Sequence, residues 1–122
     1  MALCNAGRNH IASAIRGDAP TAFDNANAYI GAGDGNDVFD ATETDLQGAS
    51  KFRQGMEATY PLIATNVVTY RSVFAAGDAN YAWEEWAVFN AGAAGTMLQR
   101  KVESLGTKST GTWTLTASIT LS

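Results

Sequence analysis

Between Leu3 and Arg16 the larger apolar residues fall at Leu3, Ile11 and Ile15, with Ala6, Gly7 and Ala14 on the same stripe and Arg8, Asn9, Ser13 and Arg16 elsewhere. This spacing predicts a short amphipathic helix over residues 3–16. Gly17 suits a left-handed cap, Arg16 complements the helix dipole, and Pro20 forbids resumption. From Asn25 the period changes to two. Ala26, Ala28 and Ile30 alternate with Asn25, Asn27 and Tyr29, which predicts a strand from about residue 25 that enters a flexible loop at Gly31-Ala32-Gly33-Asp34-Gly35. The block from Asp34 to Asp45 holds five carboxylates around Val38 and Phe39 and reads as a solvated excursion pinned by Phe39.

Beyond Gly48 alternation dominates, and strands are expected at 52–63, 67–74, 83–89, 97–105 and 112–121, with Gly- or Asn-containing breaks between them. The last is the clearest. Trp113, Leu115, Ala117, Ile119 and Leu121 point one way and Thr112, Thr114, Thr116, Ser118 and Thr120 the other, as in an antiparallel strand with one buried face. The expected fold is mainly β: an antiparallel β-sandwich of about six strands with one short N-terminal helix. No internal repeat or linker divides residues 1–122, so a single domain is expected.

Composition narrows the function without selecting it. With 46% apolar residues in 122, the chain can fill one core. Charged residues make up only 16%, and eight Lys plus Arg against twelve Asp plus Glu give a net charge of -4. That removes the electrostatic drive for unspecific nucleic-acid binding. Cys4 is the single cysteine, so no internal disulfide or Cys-rich zinc site is available and a reducing compartment is expected. No run of about 18 apolar residues suggests a membrane span.

The candidate chemistry is sparse. His10 is the only histidine, and on an ideal helix Cys4 lies on its opposite side, so His10 reads as structural or exposed. Glu84 and Glu85 sit among Tyr81, Trp83 and Trp86, a setting that could suit sugar rings. Neighbours on a strand point to opposite faces, which places Glu84 with Trp86 and Val88, and Glu85 with Trp83, Ala87 and Phe89. One of the two glutamates is expected to be partly buried against a backbone or Arg donor. Asp34, Asn36 and Asp45 fall at the first, third and twelfth positions of a calcium-loop template, but Val38 and Phe39 occupy its fifth and sixth, so no metal site is expected. The Gly31–Gly35 run lacks the frame of a phosphate loop. No cofactor and no catalytic residue are expected.

At Trp83-Glu84-Glu85-Trp86-Ala87-Val88-Phe89-Asn90-Ala91, followed by Gly95-Thr96-Met97-Leu98-Gln99-Arg100, the chain resembles small virion structural proteins of tailed bacteriophages. The likeness extends to Ala28-Tyr29-Ile30-Gly31-Ala32-Gly33-Asp34-Gly35, to Thr44-Asp45-Leu46-Gln47 before Phe52-Arg53, and to the step from Phe74 to Asn80. The order of elements is also similar to the N-terminal domain of phage tail-collar fibre proteins, although Glu84 stands where that motif has Arg and Ala87 where it has Gly. The chain stops at Ser122, whereas a fibre would continue into a shaft. The resemblance implies a capsid decoration or cement protein that binds the major capsid protein lattice from outside. Such a protein is a homo-oligomer, commonly a trimer, made in the host bacterial cytoplasm and resident on the virion, with no nucleic-acid or membrane partner. A tail or fibre-attachment component is the alternative, and a carbohydrate-binding module a more distant one. Exposed aromatics and loops anchor interfaces, so Asp37, Val38 and Phe39 in the excursion, Tyr81 and Trp83 at the approach to the expected 83–89 strand, and the N-terminal helix are candidate partner contacts. Phe39 and Trp83 equally suit the module's own core.

Overall fold

A computed structural model describes residues 3–122. Helix α1 (Asn5–Arg16) is followed by strands β1 (Tyr29–Gly33), β2 (Lys51–Gly55), β3 (Leu62–Ala64), β4 (Val67–Phe74), β5 (Ala82–Phe89), β6 (Met97–Thr107) and β7 (Trp113–Thr120). They form two antiparallel sheets, one ordered β2-β1-β5-β6 and the other β3-β4-β7. The expected β-sandwich with one short helix is therefore present, with seven strands among the described residues where about six were expected.

Helix α1 ends as its sequence predicts. Gly17 takes φ 87°, its N–H bonds to Ala14 O, and the N–H of Asp18 bonds to Ser13 O, a Schellman closure. Its start is two residues later than expected because Leu3 bridges to Gln99 and Cys4 is extended, donating to Leu98 O at 3.1 Å. Gly7 then presses on the Leu98 carbonyl, and a Cβ there would collide with it. The missing side chain is what lets the helix lie against the edge of β6.

Three strand boundaries depart from the expected ones. Residues 24–27 form a turn in place of strand, since Asp24 accepts the N–H of Ala28 through its carbonyl and that of Asn27 through its carboxylate. The Gly31-Ala32-Gly33 run is the core of β1 and no flexible loop. A Cβ on Gly31 would stand 2.8 Å from Phe89 Cε1, and one on Gly33 would strike the Glu85 carboxylate, so glycine serves close approach inside the sheet. The expected 52–63 strand divides into β2 and β3 in different sheets. Between them a turn over 57–61 has its carbonyls at Glu57 and Tyr60 tied by Asn25 Nδ2, and Pro61 at the break lacks the donor a continuous strand would need.

The main core lies between the sheets. Ile30 and Ala32 of β1 stand opposite Val88 and Trp86 of β5, while Tyr70 and Phe74 of β4 stand opposite Ala117 and Trp113 of β7. Phe74, Trp83 and Trp113 meet edge to face, with centroids 4.7 and 5.0 Å apart. Trp83 is on the same side as Trp86 and Val88, contrary to strict alternation, because the ladder between β5 and β6 slips between Trp83 and Glu85. A second cluster of Cys4, Leu46, Ala87, Phe89 and Met97, with Tyr29 and Phe39 against it, covers the outer face of the four-stranded sheet. The excursion from Asp34 to Ser50 folds back over that face. It is pinned at Phe39, as expected, but it is also a lid on buried charge.

Candidate contact surfaces and the ion pair beneath the excursion

Glu85 projects from β5 onto the outer face, where Gly33 leaves room beside it. The side chains of Glu85 and Arg100 are both wholly buried, with Arg100 Nε 2.6 Å from Glu85 Oε1. That oxygen also accepts the Gln47 N–H at 2.9 Å, and Oε2 accepts those of Gly35 at 3.0 Å and Gly48 at 2.7 Å. One carboxylate thus ties both ends of the excursion to the sheet. Arg100 Nη1 donates to Asp37 O at 3.1 Å and to Glu43 Oε1 at 3.0 Å, which binds the middle. Charged hydrogen bonds of this kind are the strong ones.

A second tie runs along the flank. Arg53 lies 3.5 Å over the Phe89 ring, donates to Ala91 O and Ala94 O, and reaches Asp45 at 3.4 Å. Asp45 is partly desolvated, which raises its pKa, but Lys51, the Leu46 N–H and Arg53 outweigh burial and hold it below the usual carboxylate value. Its contribution to stability is present above the ordinary carboxylate pKa and is lost as pH falls through the depressed folded one.

A buried cation closes the β4–β5 turn. Lys108 Nζ donates to Ala75 O and Asp78 O, both at 2.8 Å, and to Asn80 Oδ1 at 2.9 Å. Nothing in its sequence setting, a turn of Gly, Thr and Ser, marked this lysine as buried. Lys108→Met keeps the stem but strands these acceptors, so a loss of roughly 1–3 kcal/mol in urea unfolding is expected.

Cys4 and His10 form no dyad. Cys4 is fully buried, and burial, with the Glu43 charge next, pushes its thiol up to about 11. Thiolate is the reactive form, so thiol reagents near neutral pH are expected to modify the native protein far more slowly than the urea-unfolded chain. His10 Nε2 lies 2.7 Å from Thr21 O and its ring meets Phe23 edge to face, a structural role. Glu84 stays near the surface by Ser104, while Glu85 lies under the excursion, so the two glutamates share no site. Among the described residues no three His, Cys, Asp or Glu side chains converge as metal ligands would.

The expected contact residues separate into two groups. Val38, 90% exposed, and Asp37 stand at the tip of the excursion. Phe39 is half-buried against the second cluster. Tyr81 is half-buried, and its hydroxyl donates to Ala32 O at 2.7 Å; burial, then the Asp34 and Glu85 charges, raise its pKa. Trp83 is 1% exposed and donates Nε1–H to Ala79 O, so it belongs to the core.

The sequence pointed to the N-terminal helix as a contact element but not to the groove beside it. That groove, of about 400 Å³, opens between α1 and the inner face of β4 and β7, with Leu98 of β6 also in its wall. Ile11, Ile15, Phe23, Val68, Ile119 and Leu121 line it. Ile63 stands opposite Val68 and continues the apolar row outward. Ile15 is 83% exposed and Ile63 76%. Compared with known proteins, the chain matches no family model and no curated protein.

Proposed function

We propose that the chain is a structural module of a tailed-phage virion that works by adhesion, and that it decorates the head by binding the major capsid protein from outside. The observation that carries adhesion is the open apolar face formed by Ile15, Ile63 and Leu121 around the α1 groove. Contiguous exposed apolar surface rimmed by polar groups marks a site of association. The virion assignment rests on the motif resemblance at Trp83–Ala91 and Gly95–Arg100. Two tightly cored sheets offer a rigid base for such a contact, and the low charge disfavours nucleic acid as the partner.

The mechanism is mechanical. A module bound across neighbouring capsid subunits adds interface free energy, about 25 cal/mol for each Å² of apolar area removed from water. That energy opposes separation of the subunits, and mass action over many copies stabilises the assembled state. No covalent step is involved.

Copy number per particle tests the location. A number that follows the capsid lattice, with the protein retained on emptied heads, supports the reading; a single ring of copies on isolated tails would assign it to the tail. Ile15→Glu tests the surface. Its side chain is exposed, so stability should change by less than about 0.5 kcal/mol, whereas co-sedimentation with emptied heads should fall at least several-fold.

A further inference from the structure

Strand β7 is an open edge of the three-stranded sheet. The other edges carry devices that block strand addition. Lys51 and Arg53 lie on β2, β3 has three residues directly after Pro61, and β6 bears Lys101 and Glu103 and is bridged by Leu3 near its start. By contrast, residues 109–122 contain no charge and no proline. The Leu121 N–H bonds to Asn66 O, and this register makes the odd-numbered residues of β7 the bonded partners of β4. The peptide groups of Thr114, Thr116, Ser118 and Thr120 therefore face outward, and among the described residues nothing bonds them.

We infer that β7 is a self-association edge, at which the β7 of a second copy adds antiparallel about a two-fold axis through Ala117. A two-fold strand pair sets each side chain against others of the same strand, so any strand with one kind of charge repels its copy. This strand has none. Pairing about Ala117 overlaps the whole strand and puts outward-facing peptides opposite one another, Thr116 against Ser118 of the second copy and Thr114 against its Thr120. On the inner face Leu115 meets Ile119 of the second copy. Trp113, half-buried, meets the second copy's Leu121, which is 40% exposed in the isolated chain. The result is a continuous sheet ordered β3-β4-β7-β7-β4-β3. The pairing does not depend on the virion reading.

Charge placement tests the pairing and its register together. Sedimentation equilibrium and native mass spectrometry of the full chain should give a dimer. Thr114→Lys with Thr120→Lys places like charges opposite each other twice per interface and should weaken dimerisation roughly tenfold or more. Thr114→Lys with Thr120→Glu sets opposite charges in the same places and should restore it. Both positions are exposed on the outer face, so the circular-dichroism melt should be preserved. In the unsubstituted chain, the Thr116 and Ser118 amides should exchange slowly at high concentration and quickly on dilution. A chain that remains a monomer, forms a trimer, or dimerises indifferently to both pairs overturns the inference, as do edge amides that exchange fast at every concentration.

Discussion

Glu85→Ala should cost about 3–5 kcal/mol in urea unfolding, the range for breaking a buried ion pair from one side. Among the described residues, Arg100 would keep only Glu43 as a charged partner, and its Nη2 already has no acceptor. The N–H groups of Gly35, Gln47 and Gly48 would lose theirs as well. Glu85→Gln should also be costly, by at least about 2 kcal/mol. Oε1 faces the Arg100 Nε–H and the Gln47 N–H, and Oε2 faces those of Gly35 and Gly48. Whichever way the amide is turned, its NH2 meets two donors. Replacing both Glu85 and Arg100 by Met should recover part of the loss by removing the stranded charge, but not all of it, because the three backbone donors remain without an acceptor. Amide exchange locates the effect: residues 34–50 should open before the sheets do. A loss below about 1 kcal/mol for Glu85→Ala would show that the excursion is held by Phe39 and Arg53 alone.

Trp83→Ala should cost about 3–5 kcal/mol. The side chain is fully buried between Phe74 and Trp113, and its indole N–H satisfies the Ala79 carbonyl. Truncation leaves a cavity at the junction of the two sheets and an orphaned acceptor. The loss should appear in unfolding of the isolated protein, with no partner present, which separates a core role from a contact role. Trp113, half-buried on the other side of the same cluster, should cost less when truncated. Equal or reversed costs for the two tryptophans would contradict this packing.

Much of the fold was legible from residue pattern. The alternation from Trp113 to Leu121 orients β7 correctly, apart from Leu121, which emerges at the rim of the groove. Gly17 ends α1 for the reason its chemistry suggests. Other features were hidden because the deciding contact is remote. Gly31 and Gly33 look like loop residues until Phe89 and Glu85, more than fifty residues later, occupy the space above them. Phe52 to Ile63 looks continuous until its two halves find different sheets. For the contact surfaces, exposure at Asp37 and Val38 agrees with the loop pattern, whereas Trp83 depended on the ladder slip before Glu85. The groove beside α1 combines residues from the helix, from Phe23 and from β4, β6 and the β7 end, so no single segment displays it.

By itself, the order of amino acids determined that this protein has one short helix and a series of two-sided strands, and that its last strand is neutral. Those properties follow from local periodicity and local charge. Only the tertiary structure decided that Glu85 rather than Glu84 is buried, that Arg100 and Lys108 are interior cations, and which apolar row remains open. These features depend on the slip in pairing between β5 and β6 or on contacts between residues remote in sequence, such as Arg100 with Asp37 and Lys108 with Ala75, and side-chain direction in a sheet reverses with every one-residue shift.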